Sequence, residues 1–459
     1  MELNELFVDS WHENPSALRG RRVVIMGLGI QGGGLGVATY LRDLGVDLVV
    51  TDLRSEADLR GSVTRLGCEG VRYVLGRHEE DDFRGAELVV RNPAVPADSP
   101  YLRVARMAGA RIETEMTLFL RWCPRGSVIG VTGTRGKTTT ATALHAMLKV
   151  GGVPAVLAGN MGISALMSLS EAKRGGTVVL ELSSAQIENL ACTELCPHGA
   201  IVTNLMADHL DRYRDMTAYA AAKVPLVANQ RADDWAVIPA MGGWSDWFAD
   251  RASGTLVRPD LGKSPPGWDQ ALVAGRHNRE NLGLAAAAAR QGGVADADIA
   301  TAIRQFSGVP ARQEFLGTIA GVRVYNDTTS TIPEATLAAF ASIRGPWVLI
   351  AGGSDKRLNF GSLAKWISEA DGLRGVVLLP GTGTDRLRPM LRHSRVRSSR
   401  NMAEAVDRAL HIAKADDALI LSPACASFGL FANEFDRGNQ FVACLTERGL
   451  RLMGLQVPT

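Results

Sequence analysis

The chain has 459 residues, of which 46% are hydrophobic and 21% charged, a composition typical of an ordinary globular protein. This length exceeds that of a single typical core, so we expect two to four domains. The 50 basic and 48 acidic residues leave a net charge of +2, and no basic run is long enough to predict a nucleic-acid-binding surface. No apolar run approaches the roughly 20 residues that span a bilayer.

The N-terminus and the cysteines indicate a cytoplasmic protein. The polar N-terminal stretch has no apolar segment followed by a cleavage site, which argues against a secretory signal. The six cysteines are scattered through a long chain, which favours reduced thiols over a disulfide framework. We therefore expect a cytoplasmic protein. Separately, we expect a monomer whose partners are small molecules rather than nucleic acids or membranes.

A first glycine-rich turn follows the β-branched run RRVVIM near the N-terminus. Residues 27–32 match the pattern G-x-G-x-x-G, and a helix-forming stretch then leads to a second strand that ends at Asp52. This β-α-β pattern is the dinucleotide fingerprint, in which the turn faces phosphates and the acidic residue meets a ribose hydroxyl. By itself the pattern fits NAD, another phosphate-bearing ligand, or a tight turn without a ligand.

A second glycine-rich turn lies in the segment IGVTGTRGKTTT, residues 129–140. It departs from the common phosphate-binding loop, because Val131 stands where the pattern G-x-x-x-x-G-K-[ST] has its first glycine. The turn still follows a predicted strand and precedes a helix that begins at Lys137, so backbone N–H groups would face anionic oxygens. Lys137 would hold the β- and γ-phosphates, and the Thr138 hydroxyl would bind Mg²⁺. We predict a nucleotide site here.

The middle of the chain offers further polar groups near this loop. Glu181 ends the predicted strand TVVLELSS and is a candidate Mg²⁺ ligand, and NLMADHLDRY supplies His209, either a metal ligand or a structural histidine. Lys223, in AYAAAKVPLV, has the pattern of a solvated helix lysine. The alanine-rich stretch NRENLGLAAAAARQGG predicts a helix, whereas residues 242–268 predict loops and short strands.

Three polar turns follow predicted strands in the C-terminal part of the chain. Their sequences are YNDTTSTIPEAT, AGGSDK and SPACASF. Each alone is typical of a capped turn. Together they would lie at the carboxyl edge of one sheet, which favours a site for a small ligand.

Taken together, these segments resemble the Mur ligases of peptidoglycan synthesis over essentially the whole chain. TGTRGKTTT, LELSS, DHLDRY, GRHNRENLGLA and YND occur in the family's order, and SPACASFGLFANEFDRG resembles the branch that adds glutamate, usually D-glutamate, to UDP-N-acetylmuramoyl-L-alanine. The resemblance implies an α/β fold with a Rossmann-like UDP-binding domain (1–118), a central P-loop ATPase-type domain (119–310) and a Rossmann-like amino-acid-binding domain (311–459).

The resemblance also implies the chemistry and the site residues. ATP would convert the L-alanyl carboxylate into an acyl phosphate, from which the glutamate amine displaces phosphate, with Mg²⁺ as cofactor. The residues expected at the UDP part of the substrate are Gly29, Ile30, Gln31, Asp52, Arg54 and Asn92. Those expected at ATP are Gly133, Thr134, Arg135, Gly136, Lys137, Thr138, Thr139, Asn281, Arg312 and Asp327. The expected catalytic residues are Lys137, Asn160, Glu181, His209 and Lys223. The expected metal ligands are Thr138, Glu181, His209 and Lys223, the last as a carbamate. Those expected at glutamate are Thr331, Lys356 and Ser427.

Two departures from the family pattern lie around the amino-acid site. Thr329 stands where the family commonly has a lysine, and Glu434 stands where an aromatic residue is common, with Phe435 beside it. A neutral hydroxyl cannot supply the charge of a lysine beside a carboxylate. Both D-glutamate and L-glutamate therefore stay open, since a minor branch of these ligases adds the L-isomer.

Three other functions remain as alternatives. A folylpolyglutamate-synthase-like ligase has a related ATP loop but does not account for residues 27–32. An NAD-dependent oxidoreductase accounts for those residues but leaves TGTRGKTTT unexplained. A non-catalytic nucleotide-binding regulator conflicts with the retention of Lys137, Glu181, His209 and Lys223.

Overall fold

The computed structural model describes residues 11–29, 32–160, 163–208, 212–273, 275–355, 358–392 and 394–452. Within these ranges the chain forms three β-sheets flanked by helices. Two compact units contain them: residues 1–265 together with 280–299, and residues 266–279 together with 300–459. The first two sheets belong to the first unit and the third sheet to the second. None of the helices in the described ranges has the length and hydropathy of a membrane span.

The first sheet has the strand order β3-β2-β1-β4-β5, and its strands are parallel. The predicted β-α-β unit is confirmed, because β1 and β2 pair directly and a helix connects them. The strands are β1 Arg22–Met26, β2 Asp47–Asp52, β3 Val71–Leu75, β4 Leu88–Arg91 and β5 Arg111–Glu113. The helices are α1 Gly33–Leu44, α2 Glu56–Leu66, α3 Glu80–Arg84, α4 Pro100–Met107 and α5 Glu115–Trp122.

The second sheet has the order β11-β10-β9-β6-β8-β7 and is also parallel. Its strands are β6 Val128–Thr132, β7 Ala155–Gly159, β8 Thr177–Glu181, β9 Gly199–Val202, β10 Trp235–Val237 and β11 Thr255–Val257. The helices are α6 Lys137–Val150, α7 Leu169–Lys173, α8 Ser184–Ile187, α9 Met216–Ala221, α10 Pro225–Ala228, α11 Gly243–Ala249 and α12 Arg276–Gln291. The strand before the second glycine-rich turn is therefore β6, in the interior of this sheet.

One expectation about this region is wrong. Residues 242–268 contain α11 as well as the short strand β11. The helix forms because it buries Phe248 and Ala249 in the core, with Trp247 packed against that core. Two helical turns are too short to give a periodic hydrophobic pattern in the sequence.

The third sheet has the order β16-β15-β14-β17-β13-β12-β18. Its strands run parallel from β16 to β13, whereas β12 is antiparallel to both neighbours. The strands are β12 Glu314–Ile319, β13 Val322–Asn326, β14 Trp347–Gly352, β15 Leu373–Leu379, β16 Val396–Ser398, β17 Ala418–Leu421 and β18 Arg451–Leu452. The helices are α13 Asp296–Gln305, α14 Pro333–Ser342, α15 Gly361–Glu369, α16 Thr382–Leu387, α17 Met402–Ile412 and α18 Glu434–Glu447.

Buried strand residues hold these layers together. Along β14, Val348 and Ile350 belong to one apolar cluster and Leu349 and Ala351 to another, because successive side chains point to opposite faces. Full burial of such a valine or isoleucine contributes about 1.5–3 kcal/mol. Helices that cover both faces leave the carboxyl edges of the strands as the places where polar turns meet.

Candidate active site

The turn between β6 and α6 depends on two glycines. Gly133 and Gly136 have φ angles of 142° and 82°, which side chains other than glycine rarely adopt. A Cβ atom at Gly133 would overlap the Thr203 hydroxyl, and one at Gly136 would overlap the Asn281 amide. Val131 is fully buried inside β6. The turn thus needs glycine at 133 and 136. Valine at position 131, where the common pattern has its first glycine, lies in the strand and does not disrupt the turn.

A brace from the end of β9 holds this turn in place. The Arg135 N–H donates to Asn204 Oδ1 (3.0 Å), and the Thr134 N–H donates to the Asn204 carbonyl (3.0 Å). The Thr203 hydroxyl donates to the Arg135 carbonyl (2.7 Å). Sequence reasoning missed Thr203 and Asn204, although a Thr-Asn pair directly after a buried strand is a usable signal of a strand-end site. Hydrogen bonds with Thr203 and Asn204 therefore hold the turn in its conformation.

Lys137 lies at the start of α6 and points back into the turn. Its Nζ donates to the carbonyls of Gly133 (3.0 Å) and Thr134 (2.9 Å). Thr138 and Thr139 occupy the same first helical turn, where the backbone N–H groups have no intrahelical acceptor. An ammonium group beside unpaired N–H groups at a helix start is suited to bind phosphate oxygens.

Glu181 ends β8 next to this turn, paired in register with Val131. Its carboxylate accepts one hydrogen bond at Oε1, from Asn160 Nδ2 (3.2 Å), while the Asn160 N–H donates to the Glu181 carbonyl (2.9 Å). The other oxygen, Oε2, is buried and has no hydrogen-bond partner among the described residues. A buried, unpaired carboxylate oxygen is costly, so this atom fits a bound cation.

Not all of the expected metal ligands lie among the described residues. His209 lies outside the described residues. In the ranges that are described, no group of three or more His, Cys, Asp or Glu side chains is placed to hold a metal. Oxygen ligands such as the Glu181 carboxylate and the Thr138 hydroxyl are those that Mg²⁺ prefers. The donor set therefore fits Mg²⁺ but needs further ligands.

Lys223 is buried, which corrects its interpretation as a solvated helix lysine. It lies between α9 and α10, is 1% exposed, and places Nζ 3.4 Å from Thr132 Oγ1 and 4.8 Å from the centre of the Tyr219 ring. Burial, together with the nearby charge of Lys137, lowers the pKa of Lys223 to about 7, against the opposing effect of Asp208. A substantial share of the amine is therefore neutral near pH 7.

Described residues of the predicted UDP site meet at the carboxyl edge of the first sheet. Asp52 accepts the N–H groups of Gly29 at Oδ2 (3.0 Å) and of Arg54 at Oδ1 (2.9 Å). Asn92 Nδ2 donates to the Gly27 carbonyl (3.2 Å). Asp52 thus organises the turn as well as lying at the ribose position of the fingerprint. Ile30 and Gln31 fall outside the described residues.

An open cavity of about 580 Å³ is lined in part by Arg91 and Pro93, the chain neighbours of Asn92. The buried Arg91 guanidinium donates to the Val95 carbonyl (2.6 Å) and to the Asn189 side chain. Burial lowers the pKa of Arg91. The cavity is lined by Arg91, Glu188, Asn189, Arg212 and residues 93–97.

The three polar turns of the third sheet do come together. The Ala424 N–H donates to the Ser330 carbonyl (2.9 Å), which joins the turns after β17 and β13. Ser354 and Ala426 exchange backbone hydrogen bonds (2.9 and 3.0 Å), which joins the turns after β14 and β17. Of the residues expected at glutamate, Thr331 and Ser427 lie on these turns. Lys356 lies outside the described residues.

Asp327 is the centre of this edge and is fully buried. Its Oδ2 accepts the Ser422 hydroxyl (2.7 Å), and its Oδ1 accepts the Gln313 N–H (3.1 Å). Burial raises the pKa of Asp327 to about 6, although these hydrogen bonds and the nearby Arg312 oppose the rise. Asp327 therefore joins the turn after β13 to Ser422 after β17 and to Gln313 before β12. Arg312, in contrast, is exposed.

Arg437, a second buried side chain that joins two turns, was not predicted from the sequence. It is fully buried on α18 and donates to the Thr328 hydroxyl (3.0 Å), the Thr328 carbonyl (2.7 Å) and the Cys425 carbonyl (3.0 Å). It therefore ties the turn after β13 to the turn after β17. No local signal in EFDRGNQF separates this arginine from a solvated one, since its partners are distant in the chain.

The chain is similar to known proteins over most of its length. Family models match in order: the Mur ligase MurD-like N-terminal domain over residues 21–114, the Mur ligase middle domain over 131–260, and the Mur ligase glutamate ligase domain over 311–425. The chain is 43% identical to a UDP-N-acetylmuramoylalanine--D-glutamate ligase of Roseiflexus sp. (strain RS-1), across 92% of this chain and 98% of that protein. It is 31% identical to the ligase of the same name from Alkaliphilus metalliredigens, across 92% and 97%.

Solved structures share the fold. The UDP-N-acetylmuramate-alanine ligase MurC from Thermotoga maritima superposes with a TM-score of 0.54 at 20% identity, covering 93% of this chain and 99% of that one. The MurF ligase from Thermotoga maritima in complex with ADP gives a TM-score of 0.50 at 15% identity, covering 95% and 97%. The chain therefore belongs to the Mur ligase family of ATP-dependent, amide-forming ligases and has that family's three α/β domains.

Proposed function

We propose that the protein joins D-glutamate to UDP-N-acetylmuramoyl-L-alanine, converting ATP to ADP and phosphate, in the synthesis of peptidoglycan precursors. Full-length similarity to relatives named for this reaction supports the proposal. The observation that carries it is the grouping of Lys137, Glu181 and the buried Lys223 around the carboxyl ends of β6 and β8. A phosphoryl-transfer site needs this combination of a phosphate-binding cation and a metal-binding carboxylate.

The reaction proceeds in two steps that the site residues are suited to assist. The L-alanyl carboxylate attacks the γ-phosphorus of ATP, giving an acyl phosphate and ADP. The glutamate amine then attacks the acyl carbon, the C–O bond to phosphate breaks, and an amide forms with loss of a proton. Lys137 and the first N–H groups of α6 bind the phosphate oxygens and stabilise their developing charge. Mg²⁺, held by Thr138, Glu181 and His209, would neutralise further charge on the phosphates.

Lys223 acts in this proposal as a carbamate. The ammonium group first loses a proton to solvent; the neutral amine then adds to CO₂, an N–C bond forms and a second proton leaves, so the side chain changes from a cation to an anion. The lowered pKa of Lys223 supports this step, because only the neutral amine is nucleophilic. The resulting carbamate would join Glu181 and His209 as an oxygen ligand of the metal.

The remaining assignments distribute the substrates over the three domains, whose boundaries we place near residues 118 and 310. The first domain binds UDP through Gly29, Ile30, Gln31, Asp52, Arg54 and Asn92. The central domain binds ATP through residues 133–139 and Asn281, and Asn160 contacts the γ-phosphate or the substrate. Arg312 and Asp327 act at the nucleotide, and Thr331, Lys356 and Ser427 act at glutamate. We place the protein in the cytoplasm.

One incubation tests the proposal and its stereochemistry. The protein is supplied with ATP, Mg²⁺, UDP-N-acetylmuramoyl-L-alanine and either D- or L-glutamate, and both phosphate and the amide product are measured. We expect turnover with D-glutamate. Turnover with L-glutamate alone would place the enzyme in the minor branch that Thr329 and Glu434 keep open. Phosphate release that needs no amino acid would contradict the ligase assignment.

A further inference from the structure

Thr329 stands where the family pattern has a lysine, and its half-buried side chain is hydrogen-bonded to another part of the chain. The hydroxyl donates to the Ala311 carbonyl (2.9 Å), and the Thr329 N–H donates to the same oxygen (3.1 Å). The hydroxyl is therefore committed to residues 311–313, a short turn that precedes β12. Because its hydroxyl makes this contact, Thr329 does not bind the amino acid, the role that the family pattern gives to a lysine at this position.

The turn 311–313 has a backbone conformation that needs such support. Ala311 and Gln313 have φ angles of 61° and 48°, in the left-handed region that residues with a Cβ seldom adopt. Two further hydrogen bonds hold this turn. The Ala311 N–H donates to Glu314 Oε2 (2.8 Å), and the Gln313 N–H donates to Asp327 Oδ1 (3.1 Å). Such a conformation persists when neighbouring groups fix it from several sides.

Arg312 is the residue that this turn presents. It is exposed, and its guanidinium has no hydrogen-bond or ion-pair partner within the described part of the chain. Its backbone is nevertheless held, since the Arg312 N–H donates to the Val309 carbonyl (3.0 Å). An open guanidinium on a fixed turn is suited to bind a phosphate, because the planar fork matches phosphate oxygens.

We infer that Thr329 is a positioning residue: its hydroxyl fixes the turn that carries Arg312, and it does not contact the amino acid. The inference rests on the proposed function, which assigns Arg312 to ATP. Loss of the family lysine therefore does not by itself change which glutamate isomer is used. That selection depends on the other residues of the amino-acid site.

Hydrogen exchange in the full-length protein without substrates tests the first half of the inference. Thr329→Val keeps the side-chain shape but removes the hydroxyl, whereas Thr329→Ser keeps the hydroxyl. We expect exchange of the Arg312 and Gln313 amides to accelerate about fivefold in the Val variant, the effect of losing one neutral hydrogen bond, and to match wild type in the Ser variant. Equal exchange in the Val variant and wild type would overturn the inference.

Steady-state kinetics tests the second half. We expect Thr329→Val to raise the KM for ATP about fivefold while the KM for glutamate changes less than twofold, and Thr329→Ser to behave as wild type. In an Arg312→Gln background, adding Thr329→Val should cause no further change, since both substitutions remove the same interaction. A raised KM for glutamate, additive effects of the two substitutions, or an Arg312→Gln enzyme with wild-type kinetics would overturn it.

The two proposals fail in different ways. A wild-type protein that never releases phosphate in a glutamate-dependent manner contradicts the proposed function, and the exchange measurement still decides whether Thr329 holds the turn. If Thr329→Val does not fold, as judged by its circular dichroism spectrum, Thr329→Ala removes the hydroxyl with a smaller side chain and the same comparisons apply.

Discussion

Among single residues, Lys223 and Glu181 differ from ordinary surface charges because they are only 1% and 3% exposed. A charged group held away from water either changes its protonation or acquires a partner. Lys223 changes its protonation, since its pKa falls to about 7. Glu181 has a buried oxygen without a hydrogen-bond partner among the described residues, and the proposed metal would be its partner. Both effects lead to predictions that can be measured separately.

Carbamylation of Lys223 should depend on pH in a definite direction. Because the pKa is lowered to about 7, the amine is mostly protonated below pH 7 and mostly neutral above it, so carbamate should increase as pH rises from 6 to 8. We expect ¹³C NMR with labelled bicarbonate to show a carbamate signal at pH 8 that weakens by pH 6. Lys223→Met should lack the signal, whereas Lys149→Met, at an exposed lysine of α6, should retain it. A signal that persists in Lys223→Met would contradict the assignment.

Glu181→Gln should weaken the metal site without changing the shape of the side chain. Replacing the buried carboxylate by a neutral amide removes an anionic oxygen ligand, so the Mg²⁺ concentration for half-maximal activity should rise about tenfold or more. The measurement is a Mg²⁺ titration at saturating ATP. Glu194→Gln, at an exposed glutamate, is the matched control and should titrate as wild type. An unchanged Mg²⁺ requirement in Glu181→Gln would argue against a metal at this carboxylate.

The sequence predicts these residues to different degrees. Glu181 was identifiable because it ends a β-branched run, a local pattern. The burial of Lys223 was not, since AYAAAKVPLV is compatible with a solvated helix and the burial arises from packing against Tyr219 and Thr132. Arg437 is similar, because Thr328, to which it donates, lies 109 positions away in the chain. Tertiary contacts of this kind leave no local signal.

Among the secondary-structure elements, the β6–turn–α6 unit has the strictest requirements for backbone conformation. The strand before the turn, the helix start at Lys137 and the two glycines were all predictable, since each has a local cause. The Thr203–Asn204 brace was not predicted, because the two segments that it joins lie about 70 residues apart. α11 was missed because seven residues show no clear period.

Gly136→Ala should damage this turn selectively. The new Cβ would overlap the Asn281 amide and would sit at a φ of 82°, so we expect loss of about 1 kcal/mol or more in the free energy of unfolding, together with greatly weakened ATP binding. Gly126→Ala is the control, because a Cβ there has no atom within 4 Å. The two variants are compared by denaturant unfolding and by calorimetric titration with Mg·ATP. Wild-type nucleotide affinity in Gly136→Ala would contradict the role of the turn.

In the molecule as a whole, the three sheets share one feature: candidate site residues lie on turns at the carboxyl ends of parallel strands. The general α/β class followed from the strand-and-glycine-turn patterns in the sequence, whereas the order of the three domains followed from the resemblance to the family. The boundaries near residues 118 and 310 stay predictions. The compact units divide the chain differently, since residues 266–279 group with the C-terminal part.

The chain should act as a monomer. Among the described residues, the most exposed large hydrophobic side chains include Met107, Met241 and Leu53, which are widely separated in the sequence, and scattered apolar residues of this kind are normal on monomers. We expect sedimentation velocity to give a single species near the chain mass of 49.0 kDa at micromolar concentration. A species of twice that mass would contradict the monomer.

The central claim is that this molecule activates a carboxylate by phosphorylating it before the amide forms. The most direct measurement uses UDP-N-acetylmuramoyl-L-alanine with both L-alanyl carboxylate oxygens labelled with ¹⁸O, together with ATP, Mg²⁺ and D-glutamate. The acyl-phosphate route predicts one ¹⁸O atom in each released phosphate and one in the amide carbonyl of the product, both detectable by mass spectrometry. Phosphate free of ¹⁸O, with the amide still formed, would contradict the account.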